Sequence, residues 1–204
     1  MKPTKAHTEE SFVMAADFVQ RAPPGTPIIL DSGCGTGRSS IALALSHPQS
    51  LVIGVDRSLP RLRRHLSTYG IPQRRESPHG IPHQTEHLFP LNLLLIRAEL
   101  SEFWLQALSA GWNLKAHYIL YPNPNPKRLK SRWHGHPAFP LILMLGGDII
   151  VRSNWRTFLS EFSEAVVIAH EACEVSSGAN SFASPYQESA VKGPDAYDPT
   201  KRDG

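Results

Sequence analysis

The feature that most restricts the fold is a short apolar run, Pro27-Ile28-Ile29-Leu30, that ends in Asp31 and passes straight into Ser32-Gly33-Cys34-Gly35-Thr36-Gly37. An apolar run this short, bounded by turn signals, suits a strand buried on both faces, the situation of a parallel sheet covered by helices. Glycines at alternate positions let the backbone bend from strand into helix while approaching a ligand closely. Residues 39–46 read as that helix. The pattern then recurs. Leu51-Val52-Ile53-Gly54-Val55 is a second buried strand ending at Asp56, followed by a helix over 59–69 that Gly70 and Pro72 terminate. Leu91 to Ile96, Tyr118-Ile119-Leu120-Tyr121 and Asp148-Ile149-Ile150-Val151 read as three further strands, with a helix from Leu100 to Leu108 among them. An amphipathic helix over 8–22 precedes them all and is broken by Pro23-Pro24-Gly25. Five strands alternating with helices predict an α/β fold with a doubly wound, mostly parallel sheet and helices on both faces.

A chain of 204 residues, 41% hydrophobic and 19% charged, suits one globular domain. We expect it over residues 1–190, with 191–204 as a disordered tail after the Ser-, Gly-, Pro- and Asp-rich stretch that starts at Ser176. Residues 70–90 carry prolines at 72, 78, 82 and 90 and predict a loop. No run approaches the roughly 18 uncharged apolar residues of a membrane span. Met1-Lys2-Pro3-Thr4-Lys5 leads into mixed polar sequence without a signal core, so the expected compartment is the cytoplasm. Cys34 and Cys173 stand far apart and outside any ligand spacing, which predicts reduced thiols. His79, His83 and His87 recur every four residues, but Pro78 and Pro82 interrupt the helix that would align them, so no metal site is expected.

In a doubly wound sheet the ligand lies at the carboxyl ends of the strands, where Asp31, Asp56, Glu99 and Asn123 should meet. The dinucleotide fingerprint GxGxxG needs glycine at position 38, which is Arg38; Gly33, Gly35 and Gly37 instead fit the GxGxG of methyltransferases. Asp56 is placed to accept from both ribose hydroxyls of a nucleoside cofactor, and Glu99 to reach its adenine amino group. A net charge of +3 is mild, yet two clusters are basic: Arg57, Arg61, Arg63, Arg64, Arg74 and Arg75, and then Lys127, Arg128, Lys130 and Arg132 with His134 and His136. Both are candidates for binding phosphates.

The segment Tyr121-Pro122-Asn123-Pro124-Asn125-Pro126-Lys127-Arg128-Leu129-Lys130-Ser131-Arg132 resembles the signature FPDPWPKxRHxKRR of the bacterial tRNA guanine-N7 methyltransferases. Gly146-Gly147-Asp148 through Ser153-Asn154-Trp155 is similar to that family's PGG, strand and Thr-Asp-Trp, and Ser184-Pro185-Tyr186-Gln187 to its late Thr-x-Phe-Glu. The likeness spans about residues 25 to 188. It implies a Rossmann-like class I methyltransferase that takes S-adenosyl-L-methionine and methylates tRNA. By the same resemblance Asp31, Gly33, Gly35, Gly37, Asp56, Glu99 and Asn123 would hold the cofactor, with Asn123 also at the catalytic position. Lys127, Arg128, Arg132, Asn154, Ser184 and Gln187 would contact substrate. Prolines at 122, 124 and 126 stiffen the strand-end loop, which would hold residue 123 beside the sulfonium while Lys127 to Arg132 face RNA phosphates.

Guanine N7 has a free lone pair at neutral pH, so attack on a sulfonium methyl needs alignment and electrostatics rather than a general base or a metal. The sequence departs from the family at informative places. Asn123, Asn154 and Gln187 are amides where the family has carboxylates, Asn125 replaces a tryptophan, and Leu129 an arginine. A carboxylate accepts from both N1 and N2 of guanine; an amide offers one acceptor and one donor. Two outcomes therefore stay open, the same base held through O6 or a different base or RNA. A non-catalytic cofactor-binding RNA module and a small-molecule methyltransferase are the competing readings.

Overall fold

The computed structural model describes residues 6–69, 90–123, 128 and 132–177, with side chains throughout except at 65–69 and 173–177. The loop expected over 70–90, the three spaced histidines, Cys173 as a side chain, Lys127, Ser184, Gln187 and the tail lie outside the described residues, apart from Pro90. The elements run α1 (Ala6–Gln20), β1 (Ile28–Ser32), α2 (Arg38–Ser46), β2 (Leu51–Asp56), α3 (Leu59–Tyr69), β3 (Leu93–Arg97), α4 (Leu100–Ser109), β4 (Leu114–Leu120), α5 (Phe139–Met144), β5 (Asp148–Arg152) and α6 (Arg156–Ser177). A 3-10 turn over Trp133–Gly135 leads into α5. The chain divides into two units, Met1–Ala169 and His170–Gly204; the sheet belongs to the first.

All five strands are parallel, in the order β3-β2-β1-β4-β5. The order reverses between β1 and β4, where successive connections depart to opposite sides of β1. Every residue of β1 and β2 is buried, as their continuous apolar character requires, while β3 and β5 are edge strands with partly exposed residues. Alternate residues serve opposite faces. Ile28 and Leu30 join the larger core with Ile53, Val55, Phe103, Trp104 and Phe158, whereas Ile29 and Val52 pack with Ala44 of α2 on the other.

Three residues the strand patterns left unlinked tie the centre together. Trp104 Nε1 donates to Ser32 Oγ at 3.0 Å, and that oxygen lies 2.8 Å from His117 Nε2. All three are buried, at 0%, 3% and 0% exposure. This small network sits on β1 directly before the glycine turn and pins β1 to β4 and α4. Burial lowers the His117 pKa from 6.5 to about 3, so the imidazole is neutral. Between those two values the unfolded chain binds a proton that the folded one refuses, so stability falls as pH falls, with a slope approaching about 1.4 kcal/mol per pH unit. His134, also lowered by burial, adds to that loss, while Asp31, raised by burial, opposes it just above its ordinary value. His117→Gln keeps a polar partner for Ser32 and should flatten the dependence of urea-measured stability on pH, leaving the share of His134 and, below the ordinary carboxylate range, that of Glu161, whose pKa the fold also lowers. Parallel curves for variant and wild type would show that this imidazole titrates freely in the fold.

Candidate active site

The turn after β1 is built by backbone conformation. Gly33, Gly35 and Gly37 all have left-handed φ, at 78°, 61° and 83°. Such values strain any L side chain, so alternate glycines are what this path demands. Two hydrogen bonds to Val55 O, from Gly33 N at 2.8 Å and Cys34 N at 3.1 Å, lash the turn to β2. Close approach matters at Gly54 too, where a Cβ would meet Ser40 Oγ and, at 2.5 Å, Leu95 Cδ2; only glycine lets α2 lie this near β2. Cys34 is buried, and desolvation pushes its thiol well above the ordinary range, which disfavours the thiolate.

Two carboxylates face this turn. Asp31 is fully buried, and its Oδ2 accepts from Ser39 Oγ at 2.6 Å and Ser40 Oγ at 2.7 Å. Its Oδ1 has no hydrogen-bond donor among the described residues. Burial raises the Asp31 pKa, against the lowering effect of the two hydroxyls. An orphaned buried oxygen costs about 1–3 kcal/mol and marks a place where a cationic donor is stabilising. Asp56, 4% exposed, takes Gly35 N–H on Oδ2 at 2.9 Å and Ser58 N–H on Oδ1 at 2.7 Å, with the Arg61 guanidinium 3.9 Å away. Each oxygen keeps a second lone pair, so the carboxylate can still accept from a pair of hydroxyls.

Glu99 caps α4 two residues past β3; its N–H donates to the buried Thr8 Oγ1 at 3.2 Å, which draws α1 onto this edge. Because β1 and β4 are adjacent and parallel, Tyr121, Pro122 and Asn123 leave the sheet at the same edge as the glycine turn. Asn154 follows β5 at that edge and is exposed, as are Asn123 and Arg128. The donor set fits S-adenosylmethionine: an orphaned carboxylate oxygen for its ammonium group, a second carboxylate for its ribose hydroxyls, and glycines where its backbone-hugging portion needs space.

Arg132 is the correction. The basic run predicts an exposed phosphate contact, yet Arg132 is 7% exposed, paired with Glu161 of α6 and placed 5.9 Å from the Trp155 ring centroid. His134 Nε2 lies 3.2 Å from the same carboxylate, whose pKa the Arg132 hydrogen bond lowers. These groups serve the packing of α6 against the segment ahead of α5. Ser39 and Ser40, which the strand and glycine patterns do not single out, are polar residues at the start of α2, a position that signals capping or ligand work.

Among the described residues no helix is long and apolar enough to cross a membrane. Of curated proteins, malonyl-[acyl-carrier protein] O-methyltransferase of Methylovorus sp. (strain MP688) is 35% identical over 65 residues, covering 32% of this chain and 21% of that protein. Among solved structures, the antibiotic-resistance methyltransferase Kmr is 19% identical, with a TM-score of 0.46 over 67% of this chain and 62% of that one. The 16S rRNA (adenine(1408)-N(1))-methyltransferase of Catenulisporales acidiphilia is also 19% identical, with a TM-score of 0.42 over 67% of this chain and 57% of that one. The chain thus spans only part of the length of these relatives. Residues 25–189, most of the chain, match the family described as "Putative methyltransferase". The chain belongs to this methyltransferase family.

Proposed function

We propose that the chain is an S-adenosylmethionine-dependent RNA methyltransferase whose target is guanine N7 of tRNA. One observation carries the reading: the glycine turn with its two acidic residues and the Tyr121-Pro122-Asn123 strand end emerge from neighbouring parallel strands at one edge of the sheet. A methyl donor and a nucleobase can therefore meet there. Bound S-adenosylmethionine supplies an electrophilic methyl group on a sulfonium. The chain's own part is placement: Asp31 holds the ammonium end, Asp56 the ribose and Glu99 the adenine, while Asn123 fixes the base edge. N7 needs no deprotonation, so the transfer asks for alignment and not for a general base. RNA phosphates fall to Lys127 and the exposed Arg128, not to Arg132.

Incubation with labelled cofactor and total tRNA should yield 7-methylguanosine on nucleoside analysis. Lys127→Ala with Arg128→Ala should weaken RNA binding and reduce its salt dependence by roughly 0.7 to 0.9 log units for each phosphate no longer neutralised. Cofactor binding without transfer to any RNA would favour the non-catalytic module that the amides at 123 and 154 suggest. Transfer that ignores the double substitution would favour a small-molecule substrate.

A further inference from the structure

Among the described residues Tyr121 is the sole non-glycine residue with positive φ, at 51°. A bulky side chain in this region is strained, and the fold must hold it there. It does so by extending the sheet ladder one step, Tyr121 N–H donating to Arg152 O at 2.7 Å, with Pro122 locking the next residue. The ring itself returns little to the fold. It is 62% exposed, and among the described residues it makes no ring contact or side-chain hydrogen bond. Glycine would accept this φ without strain. An aromatic residue kept at a strained position without packing gain points to something that uses its face. The location says what. Tyr121 ends β4, next to β1 at the topological switch point and two residues before Asn123, at the edge where the glycine turn opens. Trp155, the aromatic residue after β5, has the Arg132 guanidinium near its ring. Among the described residues at this edge, Tyr121 is the aromatic face left open.

We propose that Tyr121 is the stacking platform for the nucleobase to be methylated, held by its strained backbone so that the base lies flat beside the donor methyl; this rests on the RNA-methyltransferase reading above. It supplies the aromatic surface that Asn125 does not. Ring stacking is sequence-tolerant and every base has a π-face, so the platform orients the base while Asn123 reads its edge.

The test measures binding of a fluorescently labelled, guanosine-containing single-stranded RNA to protein saturated with S-adenosylhomocysteine, alongside methyl transfer. Tyr121→Phe and Tyr121→Trp should retain wild-type affinity. Tyr121→Leu and Tyr121→Gly should weaken RNA binding roughly 5- to 100-fold and raise KM with cofactor affinity unchanged. Tyr121→Gly should also leave Tm unchanged or raise it, because the strain is released, whereas a merely structural role would lower Tm and affinity together. Wild-type affinity in Tyr121→Leu, or a loss in Tyr121→Phe equal to that in Tyr121→Leu, overturns the platform while transfer by the wild type sustains the enzyme. Ring-dependent binding without transfer to any RNA defeats the enzyme and overturns the platform for a methylated base, leaving Tyr121 as an RNA-stacking contact of a non-catalytic module. If the wild type binds no RNA, both fall.

Discussion

Asp56→Ala is expected to weaken cofactor binding by at least about 100-fold. The carboxylate does two jobs at once. From inside the protein it accepts Gly35 N–H and Ser58 N–H, at 2.9 and 2.7 Å, and so fixes the path of the turn. Toward the crevice its remaining lone pairs are those proposed to accept the two ribose hydroxyls. Hydrogen bonds to a charged acceptor contribute about 1.5–3 kcal/mol each, so losing two gives about 3 kcal/mol or more, which is two decades of affinity. Alanine leaves two backbone donors without their acceptor and lets the glycine turn relax, which compounds the loss. Asp56→Asn tests the division of labour. Its amide has one acceptor and must turn a donor toward a donor, so an intermediate loss of about tenfold is expected. Titration calorimetry with S-adenosylhomocysteine, run beside a thermal melt, reads both jobs. Unchanged affinity with a lowered Tm would mean that Asp56 only ties the turn and holds no ribose.

Much of this arrangement was legible because buried parallel strands announce themselves. The cores of β1, β2, β3 and β5 are short apolar runs bounded by turn residues, and each was placed within two residues of its observed limits. β4 was read only from Tyr118, because Lys115 and His117 interrupt its apolar pattern; in the fold Lys115 is exposed while His117 is buried by pairing with Ser32. Sequence shows a polar residue but not the distant partner that makes its burial tolerable. The same blindness explains Arg132, whose acceptor Glu161 lies on α6, 29 residues further along the chain. That helix, α6, did carry a signal: Phe158, Phe162, Ala165 and Ala169 recur at helical spacing, and the first two are buried. α5 had less, six residues with a proline in the first turn. At the site, spacing alone could align Asp31, Asp56 and Glu99 with strand ends. It could not say that one oxygen of Asp31 is taken by two serines and the other left over, nor that Tyr121 stands in a left-handed conformation, since both follow from how α2 and β5 pack against their neighbours.

Trp104 is the largest fully buried side chain among the described residues, and Trp104→Ala should cost about 4 kcal/mol of stability. Removal of a wholly buried Trp or Phe typically destabilises by about 3–5 kcal/mol, through forfeited transfer energy and the cavity left behind. Here both contributions are near their upper range. The indole is 0% exposed, with His117 and Trp133 against it at ring separations of 5.6 and 4.8 Å. These neighbours belong to a strand in the middle of the sheet and to the segment ahead of α5, so collapse onto the cavity would have to move the sheet itself. The indole N–H adds a polar effect, because its loss leaves Ser32 Oγ with the neutral imidazole as its remaining partner. Such a loss takes a large fraction of the roughly 5–15 kcal/mol that holds a typical domain folded. Trp104→Phe separates the two effects: it keeps most of the ring, removes the donor, and should cost only about 1–2 kcal/mol. Urea unfolding followed by far-UV circular dichroism measures both. Since Ser32 lies directly between Asp31 and Gly33, the phenylalanine variant should also loosen the turn and weaken S-adenosylhomocysteine binding, by severalfold rather than by decades. A tryptophan-to-alanine cost below about 2 kcal/mol would show that the centre of the sheet repacks freely, and that the network over β1 does not set the position of the glycine turn.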